Sequence, residues 1–392
     1  MNVLGVVVEY NPLHMGHRGH LAKSQEISSS DVVVAVMSGN FVQRGEPAIY
    51  DKWKRAKMAL DAGVDVVIEL PLYYATASAG YFAKAAVTLL DRTGIVDAMC
   101  FGSESADLGA LERYARGLLT ESFEFKESMK GYLGKGLSYP AARARAGADA
   151  FESAIDTPNS PNLPNLPNSP NDILGVEYFK ALMQLGSHIK PYTVPRSEGS
   201  AMEIRKGIYE EAEKAEKAEK SGKSEDSSNF ACLDNLSKVF HYVLSSLRDQ
   251  RDLQVYLDVT EGVENRLIEC ARENELISDI IAAAKTKRYT YLRLQRIVLH
   301  MILGITSNAM AEYEMSGGPQ YIRVLGFSER GVGLLGQLQQ RAQLPVVLNL
   351  QEAKLDGLAA RMLEDEIRSS KLYSLAFREH CCFNEYVMPL VR

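Results

Sequence analysis

Four short apolar runs, each closed by a turn and separated by a helical stretch, constrain this chain more than any other feature. Val3 to Val8 is a continuous apolar run that stops at Glu9. Asp31 to Met37 (DVVVAVM) repeats the pattern and meets a Ser38-Gly39-Asn40 turn. Asp65 to Leu70 (DVVIEL) is stopped by Pro71, and Ile95 to Phe101 runs directly into Gly102-Ser103. Runs of this length without polar alternation read as strands buried on both faces. Between them a helix is expected from near Gly16, another over Lys52 to Ala62 with Trp53, Ala56 and Leu60 on its apolar stripe, and a third over Ala75 to Arg92. Strand and helix in alternation predict a parallel sheet covered by helices on both faces, an α/β architecture.

The 392 residues suffice for two domains. Thr157 to Asn171 (TPNSPNLPNLPNSPN) is low in complexity, and its repeated proline forbids helix, so it reads as a loop. A helix over Ile173 to Gly186 and a strand over Ile189 to Val194 follow. Glu210 to Ser228 carries EEAEKAEKAEK and then SGKSEDSS, a solvated helix running into a linker. The boundary is therefore placed there: residues 1–209 form a Rossmann-like domain, 210–232 a charged linker, and 233–392 a mostly helical C-terminal domain. A strand-like apolar piece, Leu344 to Leu348, sits in the mixed segment after Gly317.

Composition closes off several classes. Hydrophobic residues at 46% and charged residues at 24% are those of an ordinary globular protein, and a net charge of -6 excludes a uniformly basic nucleic-acid binder. Five cysteines, an odd number with no CxxC pair, suggest neither a disulfide framework nor a zinc site. The opening apolar run is too short for a signal peptide, and no stretch approaches the ~18–20 apolar residues of a membrane span. A cytoplasmic protein with no membrane contact and no obligate protein partner is expected.

The sharpest chemical signal is Glu9-Tyr10-Asn11-Pro12-Leu13-His14-Met15-Gly16-His17, which follows the first strand and opens the first helix. Gly16 lets backbone approach a ligand closely. A helix start offers free N–H groups and a positive dipole end to phosphate. Imidazoles at i and i+3 reach the same ligand and can donate to phosphates as charge moves onto a leaving pyrophosphate. A zinc site from His14, His17 and His20 is an alternative, weakened by the lack of a nearby carboxylate or thiolate partner. The pattern resembles the HxGH signature of the nucleotidyltransferase superfamily. Gly199-Ser200-Ala201-Met202-Glu203-Ile204-Arg205, before a helix near Lys206, is similar to that superfamily's second phosphate motif, with Met202 where threonine is common. There Ser200 and Arg205 would meet phosphate.

A narrower resemblance rests on VVVEYNPLHMGH, AVMSGNFVQRGEPAIYDKWKRAKMAL, GVDVVIELP, FGSE, SPNDILGVEYFKAL, EGVENRL and KTKRYTYLRLQRIVLHMILGI. With these stretches the chain is similar to the bacterial tRNA(Met) cytidine acetate ligase family. The resemblance implies that acetate attacks the α-phosphate of ATP, giving acetyl-adenylate. The wobble cytidine of elongator tRNA(Met) then takes the acetyl group as N4-acetylcytidine. It implies ATP contacts from Val7, Val8, Glu9, Tyr10, Asn11, Pro12, His14, Gly16, His17 and His20, and from Gly102, Asn171 and Arg196. His14 and His17 would stabilise the transition state, with Arg205 and the basic residues between Lys52 and Lys57 as further candidates. Magnesium is expected with ATP, held mainly by phosphates and water.

Lys285, Lys287, Arg288, Tyr289, Tyr291, Arg293 and Arg296 interleave basic groups with tyrosines, the combination that meets RNA phosphates and stacks on unpaired bases. Lys54, Arg55 and Lys57 would extend that patch. Two other functions share parts of this pattern: an HxGH adenylyltransferase acting on a small molecule, and an RNA-binding module without catalysis.

Overall fold

The structure is a computed structural model, and it describes residues 1–120, 123–137, 142, 145–147, 169–196, 204–207, 230–379, 381 and 383–392. The four expected strands are Val3–Val8 (β1), Val32–Ser38 (β2), Val66–Leu70 (β5) and Ala98–Ser103 (β6). Phe41–Val42 (β3) and Glu46–Pro47 (β4) make a small antiparallel hairpin, and Lys190–Pro195 is β7. β1 pairs in parallel with β2 and β6, β2 with β5, and β6 with β7. The apolar runs are buried on both faces, as β2 shows along its whole length. The helices fit the pattern with shifted ends. The stretch expected as one helix over Ala75 to Arg92 is two, Leu72–Ala75 and Ala79–Arg92, and the strand expected from Ile95 begins at Ala98. The helix expected from Ile173 starts at Pro170, where the ring replaces an N–H that has no intrahelical partner. The Asn/Pro repeat before Ser169 and the charged stretch 210–229 lie outside the described residues.

The second half contributes helices, among them Ser237–Ser245, Val263–Glu273, Ile277–Ala284, Tyr291–Leu303 and Ser307–Met315. It also returns to the sheet. Ile322–Phe327 (β8) pairs antiparallel with β5, and Val346–Val347 (β9) pairs with β8. The sheet order is therefore β7-β6-β1-β2-β5-β8-β9, and it runs across the boundary expected from the charged stretch. Among the described residues no helix is long and apolar enough to cross a membrane.

A buried ionic cluster fastens the two halves. Lys52 Nζ lies 2.6 Å from Glu69 Oε1, 2.7 Å from Glu385 Oε1 and 3.6 Å from Glu366 Oε1. Arg323 of β8 bonds Glu69 at 3.0 Å and Glu385 at 2.5 Å. Leu72 N–H donates to Glu366 Oε2 at 2.8 Å. Lys52 and the three carboxylates are wholly buried. Burial and the neighbouring Glu69 lift the Glu366 carboxyl to about 8. Removing one partner strands the others in a dry interior. Lys52→Ala is expected to lower the unfolding free energy by about 3–5 kcal/mol. Lys57→Ala, which breaks the exposed pair with Asp61, changes it by less than ~1 kcal/mol. Urea denaturation of both variants checks the contrast.

Candidate active site

The cleft lies at the carboxyl edge of β1, β6 and β7, the edge where open α/β sheets hold ligands. Its volume is about 290 Å³. β1 ends at Val8, and the chain then turns through Tyr10 at φ 46° and a cis Asn11-Pro12 bond. Asn11 is anchored on both sides: its Oδ1 accepts Ile49 N–H at 2.8 Å and its carbonyl accepts Arg205 Nη1 at 2.7 Å. This turn delivers His14 to the N-cap of the helix Met15–Ser28.

The two motif histidines cap that helix themselves. His14 Nδ1 accepts Gly16 N–H at 3.1 Å, and His17 Nδ1 accepts His14 N–H at 3.3 Å. The rings stack with centroids 3.7 Å apart. An imidazole that accepts at Nδ1 carries its proton on Nε2, so each ring keeps one N–H donor for a ligand. Burial, then the neighbouring His14, His20 and Arg196, push His17 down to about 3. His14 is lowered by burial and Arg196, and His20 by burial. Neutral donors at a helix start suit a polyanion without requiring imidazolium charge.

The opposite wall is a carboxylate-braced loop. Glu104 Oε1 accepts Asn171 Nδ2 at 2.8 Å and pairs with Arg196 Nη1 at 3.2 Å, while its Oε2 accepts Asp172 N–H at 3.1 Å. Asp172 in turn accepts Ser103 Oγ, Ser105 Oγ at 3.1 Å and Ser169 Oγ at 2.7 Å. Burial acts to raise the Asp172 pKa, but these hydrogen bonds outweigh it and hold the carboxyl below its ordinary value. Gly102, Asn171 and Arg196 are thus brought to one rim from three elements. A Cβ on Gly102 would touch His20 at 3.6 Å.

Of the residues expected at ATP, Val7, Val8, Glu9, Tyr10, Asn11, His14, Gly16, His17, His20, Gly102, Asn171, Arg196 and Arg205 line the cleft. Pro12 is not among its lining residues, and Ser200 lies outside the described residues. Arg205 is partly committed, since beside Asn11 it pairs with Glu46 at 3.4 Å. Two of the further basic candidates need correction. Lys52 belongs to the buried cluster, and Arg55, fully buried, donates to the carbonyls of Glu9, Gly39 and Tyr50. Neither is available to a ligand or to an RNA patch, because buried charges in a folded chain are held by partners. Sequence reasoning passed over Gln43 and Arg44, which line the cleft from the β3–β4 turn, and Glu104 and Asp172, which brace it. The quoted stretches NFVQRGEP, FGSE and SPND contain all four.

The expected RNA-facing residues divide. Lys285 and Lys287 are exposed, and Tyr291 is 37% exposed. Tyr289 is buried and its hydroxyl donates to the Glu261 carbonyl at 2.6 Å, which leaves no ring face for a base. Arg288 and Arg293 pair with Glu261 at 2.8 and 3.5 Å, and Arg296 lies 4.0 Å from Asp258.

With a pKa of about 3, the His17 ring of the free protein is expected to stay neutral across the range in which an ordinary histidine, near ~6.5, titrates. Constant ring chemical shifts in an NMR titration check this, and a transition near the ordinary value contradicts the depression assigned to burial.

A family model described as HIGH Nucleotidyl Transferase matches residues 1–386. The tRNA(Met) cytidine acetate ligase of Caldanaerobacter subterraneus subsp. tengcongensis is 40% identical, with 100% of each chain covered. The enzyme of the same name from Acetivibrio thermocellus is also 40% identical over 96% of each chain. The crystal structure of Thermotoga maritima TmcAL bound with alpha-thio ATP superposes with a TM-score of 0.86 at 33% identity, covering 100% of this chain and 99% of that one. A seven-stranded, mostly parallel sheet, an HxGH helix start aimed into a cleft, and full-length similarity agree: the chain belongs to the HIGH nucleotidyl transferases and, within them, to the tRNA(Met) cytidine acetate ligase family.

Proposed function

We propose that the chain is an ATP-dependent ligase that activates acetate as acetyl-adenylate and acetylates N4 of the wobble cytidine of elongator tRNA(Met). The observation that carries this reading is the pair of Nε2–H donors presented at one helix start by His14 and His17. They meet Arg196, Asn171 and Gly102 across one cleft, in a chain that a tRNA(Met) cytidine acetate ligase matches over its full length. In the first step an acetate oxygen attacks the α-phosphorus, and the bond from that phosphorus to pyrophosphate breaks. Acetate is already ionised at neutral pH, so this step needs no base. The donors stabilise charge that grows on the phosphates, and Arg196, paired with Glu104, adds its guanidinium.

Magnesium enters with the triphosphate. Among the described residues no group of three His, Cys, Asp or Glu side chains is placed to hold a metal, and Glu9 is the one carboxylate lining the cleft. Such a donor set fits an ion held by phosphate oxygens and water, the usual state of magnesium at nucleotides. We assign adenylate formation to residues 1–209 and tRNA binding to the helices of 233–392. Lys285 and Lys287 supply phosphate contacts there, with Arg288, Arg293 and Arg296 released from the acidic loop on binding, and Tyr291 the stacking ring. The site of the reaction is the cytoplasm.

Acetate-dependent exchange of pyrophosphate into ATP tests the first step. His17→Ala is expected to lower it by about 10²-fold or more, the scale of one charge-stabilising donor. Exchange that ignores acetate would point instead to an adenylyltransferase of small molecules. Lys285→Ala with Lys287→Ala is expected to weaken tRNA binding and lower its salt slope by about two, with exchange preserved. An unchanged slope would remove these lysines from the RNA surface.

A further inference from the structure

Acyl transfer makes a demand that the motif histidines do not meet. The exocyclic amine of cytidine is conjugated with its ring, so it is a weak nucleophile and becomes acidic as it attacks. A positioned base accelerates such a step by about 10²–10⁴-fold. His14 and His17 accept backbone N–H groups at Nδ1 and carry protons on Nε2, so they donate rather than receive. His20 stands at the nucleotide rim, its Nε2 3.9 Å from where a Cβ on Gly102 would lie.

Among the described residues that line the cleft, Glu9 is the one carboxylate. Its Oε1 is fixed by Gln43 N–H at 2.8 Å, with Ser38 Oγ at 3.5 Å, and its backbone carbonyl is held by Arg55 at 2.6 Å. Its Oε2 has no hydrogen-bond partner among the described residues. One oxygen is therefore clamped and the other is available. Building on the reaction proposed above, we propose that Glu9 is the general base of acyl transfer. The N4 nitrogen attacks the acetyl carbonyl and a C–N bond forms. The bond from the carbonyl carbon to the AMP oxygen breaks, AMP leaves with that electron pair, and the N4 proton passes to Glu9 Oε2.

The position of Glu9 suits the second substrate. Gln43, which clamps it, belongs to the β3–β4 turn, and that turn rests on the helix Tyr291–Leu303 of the RNA-facing segment. A Cβ on Gly45 would stand 2.5 Å from Arg296 N, and Glu46 Oε2 accepts Gln295 Nε2 at 3.3 Å. The charged and titratable groups around the carboxylate are Arg44 and Glu46 of the turn, Arg55 of the helix Lys52–Asp61, and Tyr178 of the helix Pro170–Leu185. Burial raises the Glu9 carboxyl above its ordinary value, against the pull of Arg44 and Arg55, which makes it a stronger base.

Glu9→Gln keeps an acceptor for Gln43 N–H and removes the base. Three rates are read on the full-length variant: acetate-dependent exchange, trapping of acetyl-adenylate by hydroxylamine, and single-turnover acetyl transfer to tRNA. Hydroxylamine is a strong nucleophile and needs no base. Transfer to tRNA is expected to fall about 10²-fold or more beyond any loss of exchange or trapping. Glu9→Asp restores part of the transfer. In the wild type transfer rises with pH as Glu9 ionises, above the ordinary glutamate value of ~4.3, and Glu9→Gln loses that limb. Wild-type transfer by Glu9→Gln overturns the proposal. So does an equal loss of exchange and transfer, or a changed magnesium requirement for exchange, either of which places Glu9 on the nucleotide. Absence of acetate-dependent exchange in the wild type overturns the proposed function and this role with it.

Discussion

Two backbone N–H groups at the start of one helix decide which nitrogen of each motif histidine is left to donate into the cleft. By accepting them at Nδ1, His14 and His17 satisfy orphan donors that every helix start exposes, and the same contacts fix the protons on Nε2. Capping the helix and presenting two Nε2–H donors to the cleft are therefore one arrangement. The turn that makes it possible is held from three directions, by Ile49, by Arg205 and by the carbonyl contacts of Arg55. A buried arginine tethering Glu9 and Gly39 costs desolvation, which its three carbonyl partners offset. The rigidity that results is what positioning catalysis requires, since a small misplacement of donors forfeits most of their effect.

The second organising device is the way the C-terminal half is fastened to the sheet. β8 adds an edge to β5, and Arg323 on that strand reaches the same carboxylates as Lys52. The β3–β4 turn then places cleft residues against the helix Tyr291–Leu303. The cleft and the helix Tyr291–Leu303 are joined by this short, packed turn, so under the proposed function a reactive acyl-adenylate would lie close to the proposed RNA surface.

Much of this was legible in the sequence, and the physical reason is locality. A strand buried on both faces, a turn and a helix start are written in adjacent residues, so β1, β2, β5, β6 and the positions of His14, Gly16 and His17 could be read directly. The features that escaped depend on partners far along the chain. Arg323 looks like a polar break in an apolar run until Glu69 and Glu385 are seen to neutralise it, so β8 was not expected. Lys52 and Arg55 read as candidates for the transition state, and Arg55 also for the RNA patch, yet both are buried. Tyr289 read as a stacking ring, but the side chain is buried, with its hydroxyl turned to the Glu261 carbonyl. Glu104 and Asp172 sit in quoted stretches, and only the fold shows that they draw Gly102, Asn171 and Arg196 to one rim.

The central claim is that one cleft joins acetate to a cytidine through an adenylate. Incorporation of labelled acetate into unmodified elongator methionine tRNA, with ATP and magnesium and with a wobble-uridine transcript alongside, tests it most directly. The account predicts label on the cytidine transcript alone, recovered as N4-acetylcytidine. Label on both transcripts, or on neither in a preparation that binds ATP, would contradict it.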